Sequence, residues 1–398
     1  MALVQRSKSN PGFGASPRYP IRRVQSCSLP KMIRTTSKNT WRSPGCCEIP
    51  NILGHAYLGP DPPAVFDLRP LELKKQICKR PWYPPSPHYN VPQLKPLARH
   101  ETRFERTVKK MLPSQTVRSS NPRSRYDQFK EIGTGVNGAV VRANDRRNPG
   151  VQVAIKRCKL DPDRTYRAAI LRELKIMSGN HANLIQLKEV TVWRDAIWIA
   201  MDLMRCSVFA VLCRRGMPED HTILVARQTI LALEHLHSKG VLHRDLKCEN
   251  LLLGWQGQVK LADFGLSARV ARPQRDRLGT SKWMAPEVIR QDHYNEKIDM
   301  WSLGITLIEM MDRVPPHYLI KDEEELFDVI TTEPSPTFTY SYPSMYMRGL
   351  VSWLLDENPL TRPAASDVLL EIDTHINQKL LPCSSSAELV HFLDQVLI

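Results

Sequence analysis

From Tyr126 to about residue 378, apolar positions recur at the two spacings that folded chains use, and before that point they do not. The stretch from Ile132 to Val141 and the run Val151–Lys156 read as strands, while Arg164–Met177 puts Ile170, Leu174 and Met177 on one helical face. Strands come first and helices later, which predicts an α+β unit with two lobes. At the C-terminus, Ala387–Ile398 sets Leu389, Phe392, Leu393, Val396 and Leu397 on one helical face. That face predicts a short amphipathic helix packed on the larger lobe, with partner binding as its other use. The expected organisation is a tail over 1–125, a folded unit over 126–378 and an extension over 379–398.

Composition sharpens the first boundary. The first 125 residues hold 23 of the 56 Lys and Arg but 6 of the 41 Asp and Glu, about +17 of charge, so the remainder is close to neutral. They also hold 18 of the 31 prolines, and fixed φ angles with missing N–H donors oppose helices and central strands. Residues 1–125 are therefore expected to be a disordered, basic tail, either simply solvated or docked on an anionic membrane surface or an acidic protein. No nucleic acid is expected as a partner, because no binding motif accompanies the charge.

The nine cysteines stand singly apart from Cys46–Cys47, with no C-x-x-C and no histidine at zinc-ligand spacing. Reduced thiols in a cytoplasmic or nuclear protein are the expectation. No apolar run approaches the roughly 20 residues of a membrane span, and the first residues lack the apolar core of a secretion signal. Residues 1–47 contain no Asp or Glu and resemble a mitochondrial transit peptide in composition, but their prolines oppose the amphipathic helix such peptides need.

Candidate chemistry begins at Gly133-Thr134-Gly135-Val136-Asn137-Gly138-Ala139-Val140. Glycines let backbone N–H groups approach phosphate oxygens, and the same spacing opens dinucleotide-binding folds. Here a second strand follows instead of a helix, and it leads to Val153-Ala154-Ile155-Lys156. Glu173 lies on the next helix with apolar neighbours, able to hold Lys156 as a point charge toward phosphate. Taken singly, Lys156 reads as a solvated edge lysine and Glu173 as a surface carboxylate. The string His243-Arg244-Asp245-Leu246-Lys247-Cys248-Glu249-Asn250, followed by Asp263-Phe264-Gly265, changes that reading. Phosphoryl transfer needs oxygen ligands for a divalent cation, which Asn250 and Asp263 offer, and a carboxylate facing the acceptor hydroxyl, which Asp245 offers.

In order and spacing these motifs resemble the eukaryotic protein kinase superfamily over about residues 126–378. The resemblance implies a two-lobed kinase fold: a small β-rich lobe with one main helix and a larger helical lobe. It implies ATP, with Mg²⁺ or in its place Mn²⁺, and protein substrates bearing Ser or Thr acceptors. It implies that Ile132, the glycine loop, Val140, Ala154, Met201 as gatekeeper, Asp202 and Met204 of the hinge, and Leu252 enclose the nucleotide. It also implies a Glu287–Arg362 pair, an Asp299 that braces the catalytic loop, and a stack of Met177, His243 and Phe264. Lys247, two residues after Asp245, and Gly279-Thr280 before Ala285-Pro286-Glu287 are similar to serine/threonine kinases of the sterile-twenty-like group. Ser281-Lys282 departs from that group's usual Pro-Tyr, and the hinge reads more like a mitogen-activated kinase kinase. The rival readings are a pseudokinase scaffold that only binds partners and a small-molecule phosphotransferase.

Arg244 before Asp245 implies an activation segment ordered by negative charge. Asp276 occupies the position of the group's phosphorylated threonine, so it is expected to supply a permanent charge, or else to pair with Arg275 or Arg277. In the tail, Arg6-Ser7-Lys8-Ser9-Asn10-Pro11 resembles a phosphorylation-dependent 14-3-3 adaptor site at Ser9, and Arg23-Val24-Gln25-Ser26 resembles a basophilic kinase site.

Overall fold

The computed structural model describes residues 102–135, 138–160, 163–270 and 274–397. Ser9, Ser26, Cys46, Cys47 and the rest of the tail through residue 101 lie outside them.

The smaller lobe is a six-stranded sheet in the order β1-β5-β6-β4-β3-β2, formed by β1 (Val117–Arg118), β2 (Tyr126–Gly135), β3 (Gly138–Asp145), β4 (Gln152–Lys159), β5 (Leu187–Trp193) and β6 (Ala196–Asp202). β4 is central, with Lys156 opposite Val140 on one side and Ile199 on the other. Its alternation divides the side chains: Val153 and Ile155 join a small cluster with Tyr126 and Trp198, while Ala154 and Cys158 join the main core. Lys156 shares the parity of Ala154 and so faces the main core.

A single long helix of this lobe, α2 (Arg164–Met177), starts at Asp163, whose carboxylate accepts from Thr165 N and Tyr166 N. Ile170, Glu173, Leu174 and Met177 are its buried stripe. The helical period thus carries one carboxylate into an otherwise apolar face.

The tail boundary at 125 is corrected by the structure, because residues 102–125 are folded. α1 (Arg103–Met111) is capped by Thr102, whose hydroxyl accepts from Glu105 N at 3.2 Å, and it buries Phe104 and Val108, with Leu112 just beyond. β1 adds a parallel edge strand to β5, Val117 opposite Val190. Arg125 then ties this segment to the sheet through Asp145 at 3.0 Å and Glu189 at 2.5 Å. Average composition hid this segment. Its two prolines, Pro113 and Pro122, sit at turns where a missing N–H does no damage.

The larger lobe is built on α4 (Glu219–Ser238) and α6 (Lys297–Asp312), after a short α3 (Val208–Leu212). Every residue of α6 from Ile298 to Asp312 is buried, as expected of a helix with no polar face. α9 (Ala365–Asn377) lies along α4 and closes its outer side. The C-terminal α10 (Ser386–Val396) opens with Ser385 and Glu388 capping each other, and it buries Leu389, Phe392 and Leu393. The Phe392 ring lies 4.7 Å from that of His221, whose Nδ1 is 2.7 Å from Ser384 Oγ. This helix therefore packs on its own lobe. Among the described residues no helix is long and apolar enough to cross a membrane.

Candidate active site

Three short stretches of the larger lobe face α2 and β4: β8 (Val241–Leu242) with the loop after it, β9 (Leu251–Leu253) paired with β10 (Val259–Leu261), and the turn through Asp263. Asp299, fully buried on α6, fixes the loop. Its Oδ2 accepts from His243 N and its Oδ1 from Arg244 N, both at 2.9 Å, and His237 Nε2 lies 2.9 Å from Oδ2. Burial alone pushes the Asp299 carboxyl up, but His237 and the backbone donors outweigh it and hold the group below its ordinary value. Arg244 and Asp263 both adopt left-handed backbone, φ 69° and 63°, a strained conformation that persists only where surrounding bonds impose it.

Lys156 Nζ stands 2.7 Å from Glu173 Oε1 and 3.7 Å from Asp263 Oδ1, so residues of both lobes meet at one ammonium. Burial disfavours the lysine's charge, yet Glu173 and Asp263 raise its pKa above the ordinary value. Burial pushes Asp263 up as well, but Lys156 and the Gly265 N–H hold it below the usual carboxylate range. Both groups are charged at neutral pH.

Asp245 is held from three sides. Lys247 Nζ lies 3.1 Å from its Oδ2, Asn250 Nδ2 donates to the same oxygen at 3.1 Å, and the Thr280 hydroxyl donates to Oδ1 at 2.6 Å. Thr280 also accepts from Lys247 Nζ at 2.5 Å. Asn250 Nδ2 further donates to Asp245 O at 2.7 Å, which leaves the amide oxygen as the free acceptor. The role of the Thr280 hydroxyl was missed in the sequence, although Gly279-Thr280 marked its position. Gly279 is required there: at φ 133° its Cβ position lies 2.8 Å from Arg244 O.

The remaining residues expected to enclose the nucleotide, where described, lie on or beside β2, β3, β4, β6 and β9. Ala154 and Met201 pair across β4 and β6 and are buried; Val140, Leu252 and Met204 are half-buried against the same core, and Ile132 is exposed at the edge. Asp202 turns its carboxylate away to Lys188 at 2.7 Å and Lys260 at 2.6 Å, so only its backbone remains for a ligand. Gly133 has open space where a Cβ would stand, and Thr134, Gly135 and Gly138 continue the two strands. Val136 and Asn137 lie outside the described residues. His243 and Phe264 meet edge to face at 5.5 Å, with Met177 buried in the same core. Arg362 grips Glu287 through two bonds of 2.6 and 3.1 Å.

The expectation for Asp276 fails. Its side chain is exposed, and its backbone carbonyl, not its carboxylate, accepts from Tyr294 OH at 2.8 Å. Arg244 instead donates to Leu266 O at 2.6 Å, Gln274 Oε1 at 3.2 Å and Tyr294 OH at 3.2 Å. Arg275 contacts His293 and Arg277 lies over the Phe327 ring, so neither pairs with Asp276.

Residues 126–371 match the protein kinase domain family. Similar proteins include the serine/threonine-protein kinase MST20 of Pyricularia oryzae, 34% identical over 286 residues, or 70% of this chain and 31% of that protein. Caenorhabditis elegans serine/threonine-protein kinase pak-1 is 35% identical over 250 residues, 60% of this chain and 43% of its own. Saccharomyces cerevisiae serine/threonine-protein kinase STE20 is 34% identical over 276 residues, 68% of this chain and 29% of its own. The chain spans less than half the length of each of these relatives.

Proposed function

We propose, since this chain belongs to the protein kinase family, that it transfers the γ-phosphate of ATP to serine and threonine hydroxyls of protein substrates. The observation that carries this reading is the meeting of Lys156, Glu173 and Asp263 within 2.7 and 3.7 Å, beside an Asp245 held by three donors.

Family members use ATP with Mg²⁺. The oxygen donors here suit that hard cation: the Asp263 carboxylate, ionised and partly exposed, and the Asn250 amide oxygen left free by its own N–H bonds. Bound there, Mg²⁺ supplies neutralisation of phosphate charge. Lys156 adds a fixed ammonium for the α- and β-phosphates, kept in place by Glu173. Met204 N–H has no acceptor among the described residues and serves the adenine edge, with Ala154, Val140 and Leu252 around the base. Asp245 accepts the hydrogen bond of the substrate hydroxyl and turns its oxygen toward phosphorus. As the new P–O bond forms and the bond to the departing diphosphate breaks, the hydroxyl proton passes to that carboxylate. Lys247 lies beside the same oxygens and balances charge on the moving phosphoryl group.

Serine/threonine preference rests on Lys247 and Thr280, the pair that joins the catalytic loop to the peptide-docking segment, and on the STE20- and PAK-like relatives. Cys158, Cys206, Cys213, Cys248 and Cys383 are in no disulfide, which accords with a cytoplasmic setting. The test is phosphate transfer to a serine/threonine peptide array by purified protein, beside Asp245→Asn and Lys156→Met. Turnover of about 1–100 per second, lost in both variants, is expected. Binding of partners with no transfer above that of the variants would make the chain a pseudokinase scaffold.

A further inference from the structure

Against the C-terminal half of α2 lies a cavity of about 330 Å³ whose lining includes none of Lys156, Glu173, Asp245, Asn250 and Asp263. This is within the range of about 300–1,000 Å³ common to ligand pockets. Its floor is apolar, made by Leu184, Leu236 and Val241 among others, and its lining contains no Asp or Glu. Four cations from three elements surround it: Arg172 and Lys175 on α2, Lys239 after α4, and Arg269 on the strand β11 (Ala268–Arg269).

None of these four pairs with a carboxylate among the described residues. Lys175 and Lys239 sit at the C-terminal ends of their helices, where a cation is locally favoured. Arg172 and Arg269 have no such reason. Burial, and then the nearby Arg244 guanidinium, hold Arg172 below the ordinary arginine value, as befits a cation with no counter-charge.

Ser267 also lines the cavity and is 1% exposed, and its hydroxyl has no hydrogen-bond partner among the described residues. A buried hydroxyl left unpaired costs about 1–3 kcal/mol, which a small rotation toward a water or ligand atom in the cavity would relieve.

We propose that this cavity docks an acidic peptide segment of a partner protein, one apolar side chain filling the floor and flanking carboxylates meeting the cationic rim. A free inorganic anion would satisfy the rim but leave the apolar floor uncovered. Residues 1–47 of the chain itself are excluded by charge, since they contain no Asp or Glu.

The test is fluorescence anisotropy on the full chain with a short fluorescein-labelled peptide, a leucine flanked on both sides by glutamates. Saturable binding is expected, weakened by added salt and by replacing the leucine with serine. Lys175→Ala, Lys239→Ala and Arg269→Ala combined should weaken it about tenfold, the summed effect of three exposed ion pairs. Arg269→Glu alone should act in the same direction, should the triple variant unfold. Binding is read without catalysis, so loss of kinase activity and loss of docking are separable. No saturable binding, equal binding by the variants, or equal binding of a lysine-flanked peptide overturns the proposal. Complete displacement by inorganic phosphate at matched ionic strength would reduce the site to one for simple anions and overturn it equally.

Discussion

Replacing Thr280 by valine removes one hydroxyl and little volume, at the point where the peptide-docking segment touches the catalytic loop. That hydroxyl donates to Asp245 Oδ1 at 2.6 Å and accepts from Lys247 Nζ at 2.5 Å. Asp245 keeps Asn250 and Lys247 in the variant, so the loop stays folded. What it loses is the bond that fixes the direction of the oxygen facing the substrate. A hydrogen bond to a charged group contributes about 1.5–3 kcal/mol, and each 1.36 kcal/mol in a barrier is tenfold, so kcat should fall by about 10- to 150-fold.

The assay is steady-state phosphorylation of a peptide chosen from the array, with kcat and KM determined separately for wild type, Thr280→Val and Thr280→Ser. Serine keeps the hydroxyl and should hold kcat within about threefold of wild type. A fall confined to KM would mean that Thr280 shapes peptide docking and does nothing for Asp245. A serine variant as slow as the valine one would show that the methyl group, not the hydroxyl, matters; either result refutes the reasoning.

Other perturbations follow from the same contacts. Asp276→Ala should leave the activity of unphosphorylated protein unchanged, whereas Gln274→Ala, which takes a bond from Arg244, should lower it several-fold in the same assay. Arg362→Met strands the buried Glu287 carboxylate and should cost about 3–5 kcal/mol in urea unfolding, with Glu287→Gln added to the same chain recovering part of it. Phe104→Ala should destabilise by about 3 kcal/mol despite lying before the family's matched region, and a change under about 0.5 kcal/mol would mean the segment is not part of the core. Burial holds His221 below its ordinary value of about 6.5, so the native state binds fewer protons than the unfolded one. Stability should therefore decline as pH falls below about 6.5, which a comparison of urea midpoints at about pH 7.5 and 5.5 would detect, the decline being smaller in His221→Gln.

The sequence carried the site further than the fold around it. Lys156, Glu173, Asp245, Asn250 and Asp263 each stand in a short string of fixed spacing, and local geometry then delivers them: strand parity for Lys156, the helical stripe for Glu173, the Asp299 brace for the loop before Asp245. The partners of Arg244 had no such signal. Gln274 and Tyr294 reach it from 30 and 50 residues away, and side-chain bonds of that span follow from tertiary packing alone. Asp276 was reached by counting from Gly279 alone, and the chain there turns its carbonyl inward and leaves its side chain exposed. Residues 102–125 were lost by averaging, since a run of basic residues and prolines outweighed Phe104, Val108, Leu112 and Val117.

The first helix, missed in the sequence, and the cationic cavity both meet α2. α2 presents Glu173 to Lys156, Arg172 and Lys175 to the cationic cavity, and Arg167 to the ring of Phe104 at 5.8 Å. Successive residues on a helix are about 100° apart, so a turn of one residue would carry Glu173 out of the core and bring Arg172 toward it. The ion pair therefore exists in one rotational setting of α2. α1 holds that setting from one flank through Phe104 and Val108, while the other flank carries cations with nothing to hold. An occupant meeting those cations would lie against the same helix that carries Glu173 to Lys156, on residues that do not touch the reacting atoms.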